Sequence, residues 1–270
     1  TRPRWPAGLL PCTMAWTEAT AHVDPRHRRL AVLAVFLLVT GSWEAVVALG
    51  GMPAFVLPAP SGIARQFAAM ATQPLFWRDV GVTLQEVLLG YGLAIVLAVL
   101  LGAAIAQVAL LRLSLMPYIV AFQTVPSVAL APLFLQWFGY GLLSKVVMAA
   151  LIAFFPLLVN VIAGLQAAGH DELQMARAFG ATRAQLLRKV RVPRALPYVF
   201  AGLELGVVFA LVGAIVAEFV GAKAGLGNRI LQYNEQFNIA GMFAVLVVLA
   251  LLGMLMHGAV ARLRERLLAW

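Results

Sequence analysis

Six stretches of this chain stay apolar for the twenty or so residues that a helix needs to cross a bilayer, and short polar segments separate them. They run from about Leu30 to Gly50, Gly81 to Ala106, Leu115 to Phe138, Leu142 to Gly164, Ala195 to Phe219 and Ile239 to Ala261. In lipid every backbone amide and carbonyl must find its partner inside the protein, so runs of this kind are read as helices. The pattern predicts an all-α, polytopic membrane protein with six transmembrane helices. The third stretch is interrupted by Pro117, Pro126 and Pro132, and the fourth holds Pro156. Residues 1–29 are polar and carry Pro and Arg, which predicts a disordered cytoplasmic tail ahead of a membrane domain over 30–270. No cleavage site follows the first apolar run, so that run is expected to be a retained helix rather than a signal peptide.

The polar segments carry local signals of their own. Ser61 to Ala71 has a capping residue at its start and Ile63, Phe67 and Met70 at helical spacing, which predicts a short interfacial helix. Gly221 to Asn238 contains Gly and Asn and predicts a loop over the outer mouth. The longest segment is 166–194. There Asp171 is placed to cap a helix, with Gln174 three residues on in the capping-box position. Gly180 can take the left-handed conformation past that helix. Thr182 with Gln185 starts a second helix, which Val192 should close because it precedes Pro193. The expected unit is helix, glycine turn, helix, with Leu173, Ala176, Leu186, Leu187 and Val190 as its apolar face.

Composition agrees with the pattern: of 270 residues 63% are hydrophobic and 11% charged, with a mean hydropathy of +0.92. A soluble domain would need more charge to cover its surface. The net charge of +9 falls in the polar gaps, where it sets orientation rather than a nucleic-acid footprint. With the N-terminus inside, fifteen basic residues lie on the cytoplasmic side. Arg65, Arg78, Lys145, Lys223 and Arg229 lie outside. Both termini are therefore expected inside. Cys12 is the single cysteine, which excludes an internal disulfide, and the four histidines show no metal-ligand spacing. None of the three lysines (Lys145, Lys189 and Lys223) follows a glycine, so the chain carries no phosphate-binding loop.

Ionisable residues within spans are costly and mark candidate sites. Glu86 and Glu218 fall near outer helix ends. Glu204 lies in the cytoplasmic half of the fifth span, where it is expected to pair with Arg194 or another basic residue. All three are read as gating or bracing charges. Gln123, Ser127 and Asn160 sit beside Pro126 and Pro156, and prolines free carbonyls along water-filled paths, so Gln123, Pro126, Ser127 and Asn160 are candidates for a translocation path. Thr124 and Gln136 are weaker candidates. Gly90, Gly92, Gly102 and Ala106 suggest close helix packing. No nucleophile, base and orienting group converge, His257 being the one base within a span, which argues against an intramembrane enzyme. No internal repeat supports a secondary transporter.

The segment 166–194 resembles the cytoplasmic loop of binding-protein-dependent ABC importer permeases: EAA, three residues, Gly, nine residues, Ile, one residue, Leu-Pro. Ala176 matches the second alanine, Gly180 the glycine, Val190 the isoleucine and Val192-Pro193 the Leu-Pro pair. Gln174 stands in place of the glutamate and Met175 in place of the first alanine. From about Pro58 onward, Thr83-Leu84, Gly90-Tyr91, Gln123-Thr124-Val125-Pro126, Ala129 to Leu133, Trp137-Phe138-Gly139, Ala217-Glu218-Phe219 and Gly225-Leu226-Gly227 are similar to the sulfonate, taurine and nitrate branch. The resemblance implies a type I ABC importer permease fold in a bacterial inner membrane, without catalytic residues or cofactors of its own. It implies two permease copies, ATPase subunits that hold ATP and Mg, and a periplasmic or lipoprotein substrate-binding protein. Gln174, Ala176, Arg177, Gly180, Val190 and Pro193 would form the ATPase-coupling loop. The cargo would be a small anion, or alternatively a thiamine-pyrimidine precursor or other small heterocycle.

Overall fold

A computed structural model describes residues 25–51, 53 and 55–268, and the elements among them are helices joined by turns. The described residues divide into two compact units, one ending at Gly62 and the other beginning at Ile63. In the first, α1 (Pro25–Leu49) covers the first apolar stretch and begins inside the segment expected to be a tail. Residues 1–24 of that tail lie outside the described residues. Leu30, Leu33, Leu37 and Leu38 of α1 are exposed, as suits a helix whose solvent is lipid. Glu44 accepts from the Ser61 amide at 3.0 Å and from its hydroxyl at 2.7 Å. Ser61 therefore does not cap α2 (Pro60–Ala71). Proline takes the first position, where a missing N–H costs nothing, and the Glu44 carboxylate serves the free amide behind it.

The second unit is built on three long helices. α3 (Pro74–Gln107) is 34 residues, about 51 Å at 1.5 Å per residue, and starts seven residues before its apolar window. α6 (Leu142–Gln166) packs between α3 and α9 (Val192–Gly221), and α11 (Ile239–Leu267) lies against α9. Lipid gives helices no hydrophobic reason to associate, so close backbone approach must supply the attraction. The contact is tightest at Ala149 of α6. A methyl group on Gly213 of α9 would lie 2.7 Å from the Ala149 Cα, and one on Gly90 of α3 would lie 2.8 Å from the Val146 carbonyl oxygen. Val87, Ala94, Ala98, Ala153, Ala210 and Ala214 continue this small-residue core. Of the other expected packing positions, Gly102 meets Val161 and Leu158, whereas Gly92 faces open space. Of the α2 positions, Ile63 and Met70 are buried and Phe67 is not.

The third apolar stretch is not one straight helix. α4 (Ala109–Thr124) and a short helical run containing α5 (Ala131–Phe138) are bent by 88°. Val125 is extended (φ −71°, ψ 124°), the conformation that a following proline imposes. The bent pair still crosses the bundle once. It leaves from the end that holds Gln107, and its far end, at Leu135 and Tyr140, packs beside Gly221 at the C-terminus of α9. Counting it as one span gives six among the described residues.

The same X-Pro signal fails at Val192–Pro193. Val192 is helical (φ −64°, ψ −48°), and helix runs from α8 (Arg183–Leu186) through a π turn (Leu187–Arg191) into α9. The Val192 amide reaches back five residues to the Leu187 carbonyl. The widened turn accommodates the proline ring and its missing donor without ending the helix.

The expected outer loop contains a helix, α10 (Leu226–Glu235). It ends at Phe237, which has φ +55°, a conformation that disfavours a residue with a Cβ. The Asn238 amide bonds the Tyr233 carbonyl at 2.9 Å and the Phe237 amide bonds the Asn234 carbonyl at 3.0 Å, so Phe237 occupies the position where a helix-ending glycine belongs. Its side chain is 77% exposed and anchors nothing in this chain's core. Phe237→Gly should raise stability by about 1 kcal/mol, seen as a higher unfolding midpoint in detergent.

Candidate functional site

The segment 166–194 folds into the expected hairpin, with different details. α7 (His170–Ala178) begins after Gly169, and Asp171 lies in its first turn rather than at the cap. Gln174 closes no capping box. Its amide lies 2.7 Å from His170 Nε2. The C-terminus does form the expected motif: Gly180 has φ +78°, its amide bonds the Arg177 carbonyl at 2.9 Å, and the Ala181 amide bonds the Ala176 carbonyl at 3.0 Å. Thr182 and Gln185 then form a complete reciprocal cap, at 2.8 and 3.3 Å. Arg194 pairs with Glu172, tying α7 to the base of α9.

These bonds decide which face the hairpin shows. Leu186 is buried, and Leu173, Ala176, Leu187 and Val190 are half-buried. Met175 and Phe179 project outward, the latter 85% exposed. They are four residues apart and so lie on one face of the helix. Sequence reading passed over this pair. The available signal was a large apolar residue just before the turn glycine, in an otherwise polar run. Val190 and Pro193 line a cleft of about 660 Å³ with Ala176, Lys189 and Arg194.

The charges within the spans separate into two groups. Glu204 pairs with Arg264 of α11 at 3.0 Å, with His257 Nε2 at 3.9 Å, and not with Arg194, whose partner is Glu172. It joins α9 to α11. Glu218 belongs to a buried cluster at the opposite end from the hairpin. It accepts from the Thr83 hydroxyl at 2.6 Å and from the Gly227 amide. Thr83 in turn accepts from the Leu226 amide at 2.8 Å, and Asp79 from the Gly225 amide at 3.2 Å. Asp79 also holds Arg229 at 2.7 Å, and that guanidinium lies 5.8 Å from the Phe76 ring centre. Two carboxylates, from α3 and α9, thus receive the free amides at the N-terminus of α10, where they complement its dipole. Glu86 is buried nearby, and Lys145 donates to the Tyr140 and Gly141 carbonyls at 3.0 and 2.9 Å. Asp79 and Arg229 lie in gaps between apolar windows, so their burial was invisible in hydropathy.

A third feature lies at the α4–α5 bend, a cavity of about 690 Å³. Gln123, Ser127 and Asn160 line it; Pro126 makes the bend but is not in the wall. Thr124 turns back to the Ala121 carbonyl at 2.7 Å, and Gln136 is not in the wall. Five aromatic rings contribute: Phe122, Phe134, Trp137, Phe155 and Phe209. Pro156 leaves the carbonyl four residues before it, that of Ile152, without a helical donor, and both residues border the cavity. Asn160 donates its amide to the Pro156 carbonyl at 2.8 Å, which leaves its side-chain oxygen as an acceptor.

Comparison with known proteins now adds a family. Residues 94–268 match the model of the binding-protein-dependent transport system inner membrane component. The chain is 38% identical to the riboflavin transport system permease of Chloroflexus aurantiacus over 94% of its own length and 98% of that protein's. It is 36% identical to the formylaminopyrimidine transport permease of Halalkalibacterium halodurans, covering 87% and 93% of the two chains. Identity to the taurine transport system permease of Escherichia coli is 28%, over 89% and 88%. Its fold is like that of a chain in an inward-facing structure of the MetNI methionine ABC transporter, with a TM-score of 0.64 and 24% identity, over 72% of this chain and 98% of that one. The chain therefore belongs to the binding-protein-dependent inner membrane components, the multi-pass permease subunits of ABC importers.

Proposed function

We propose that this chain forms the translocation path of an importer for a small organic solute, and that the α7–Gly180–α8 hairpin couples it to a separate ATPase. The observation that carries this reading is the presentation of Met175 and Phe179. A hairpin locked by a complete glycine turn and a complete cap holds two apolar side chains out, where an isolated chain gains nothing from them. A helix lying in a partner's groove uses such a pair as anchors. The basic residues clustered around the hairpin support placing it in the cytoplasm, with both termini on the same side. Two copies would frame the path, and a substrate-binding protein would deliver cargo at the α10 end. ATP and its metal would stay on the ATPase.

The test is co-purification with its ATPase subunit. Phe179→Ser should reduce recovery of the ATPase and ATP-driven uptake at least tenfold, with the unfolding midpoint unchanged. Normal recovery of the ATPase by this variant would remove the hairpin from the interface.

A further inference from the structure

We propose that the cavity at the α4–α5 bend is a binding site within the membrane for a flat, uncharged heteroaromatic solute. The site stacks the solute between rings and reads its edge through neutral groups. This inference rests on the reading of the chain as the solute-conducting permease, and it names the class of cargo.

Three observations point to that ligand. The first is the wall itself. Phe134 and Trp137 of α5 lie 6.0 Å apart at 45°, and Phe155 of α6 contributes a further ring. Trp137 is 64% exposed in the isolated chain. Aromatic rings favour offset-stacked or edge-on partners, so a planar solute gains here what a compact one does not.

The second observation is the charge. Lys, Arg and His are absent from the wall, as are Asp and Glu. A sulfonate or nitrate brought into such a site would lose its hydration with no cation to replace it. A neutral ring loses little.

The third is the set of polar groups. Gln123, Ser127 and Asn160 can each accept or donate, and the Asn160 oxygen stays available because its nitrogen is engaged with the Pro156 carbonyl. An apolar pocket with a few neutral hydrogen-bonding groups, within the roughly 300–1,000 Å³ of small-molecule sites, suits a ring that carries amino or carbonyl substituents. The cargoes named for the riboflavin and formylaminopyrimidine permeases belong to this chemical class.

The experiment uses the full chain with its ATPase in lipid nanodiscs. Equilibrium dialysis measures binding of riboflavin, 4-aminopyrimidine and taurine. At least one of the two flat probes is expected to bind, and taurine is not. Trp137→Ala combined with Phe134→Ala should weaken that binding at least tenfold, and Trp137→Phe should retain it, because a ring is kept. Asn160→Leu should weaken it about tenfold, more for a probe with an amino group beside the ring nitrogen. Recovery of the ATPase on the same samples monitors folding. Three outcomes overturn the inference: taurine binds and the flat probes do not, the flat probes bind without regard to the cavity variants, or neither flat probe binds at millimolar concentration. The last would mean that acyl chains or a second copy fill the cavity. Loss of ATPase recovery from the unmodified chain would strike the permease reading instead, so the two failures are distinguishable.

Discussion

Gly180→Pro should abolish ATP-coupled uptake in proteoliposomes while membrane insertion is retained. Gly180 has φ +78°, and proline is held near −65°, so the backbone cannot follow its present course. Proline also removes the amide that bonds the Arg177 carbonyl. The turn opens, and Met175 and Phe179 lose their fixed relation to α8. A series separates this mechanism from a general loss of fold. No atom lies within 4 Å of a methyl group built on Gly180, so only the backbone opposes a side chain there. Asparagine, which tolerates the left-handed region, should leave uptake close to normal. Alanine should cost about 1–2 kcal/mol locally and reduce uptake in part. Normal transport by the proline variant would show that the hairpin is not the coupling element.

Glu218→Ala should lower the unfolding midpoint more than any exchange of a single exposed charge. Its carboxylate receives the Thr83 hydroxyl and the Gly227 amide inside a fully buried cluster. Removing it leaves both without that acceptor, at about 1–3 kcal/mol for each buried group. Glu218→Gln keeps one oxygen that can accept from the Gly227 amide, whereas its NH2 group can only donate to the Thr83 oxygen, so part of the loss should return. Limited proteolysis supplies the local readout: the alanine variant should become cleavable around α10, and the glutamine variant less so. Equal midpoints for the alanine variant and the unmodified chain would mean that α10 is held by its apolar contacts alone. By contrast, the pair of Glu204 with the half-exposed Arg264 is worth about 1 kcal/mol or less.

Legibility in the sequence followed the length scale of each signal. Long apolar runs gave the helices, and local caps gave Gly180 and Thr182, because each depends on a few neighbouring residues. Of the proline signals, the interruption expected at Pro126 is the bend that follows Val125, whereas the helix end expected at Val192 does not occur. The dipeptide preference is the same at both, but at Val192 a π turn on the preceding residues relieved the clash. α10 was missed because Gly225 and Gly227 read as loop. They serve instead as backbone donors to carboxylates from helices far away in sequence. Gln123, Ser127 and Asn160, which line the cavity, stand out in the sequence by their proximity to proline. The five rings around them come from four helices, a convergence with no local trace.

The π turn at Leu187–Arg191 also sets a phase. It takes up one residue more than an α turn, so every residue beyond it is rotated by about 100° relative to an uninterrupted helix. The orientation of the hairpin and the side of α9 that lies against α6 are thus aligned by a single surplus residue. Removing that residue would leave both surfaces intact in composition and aim them in different directions.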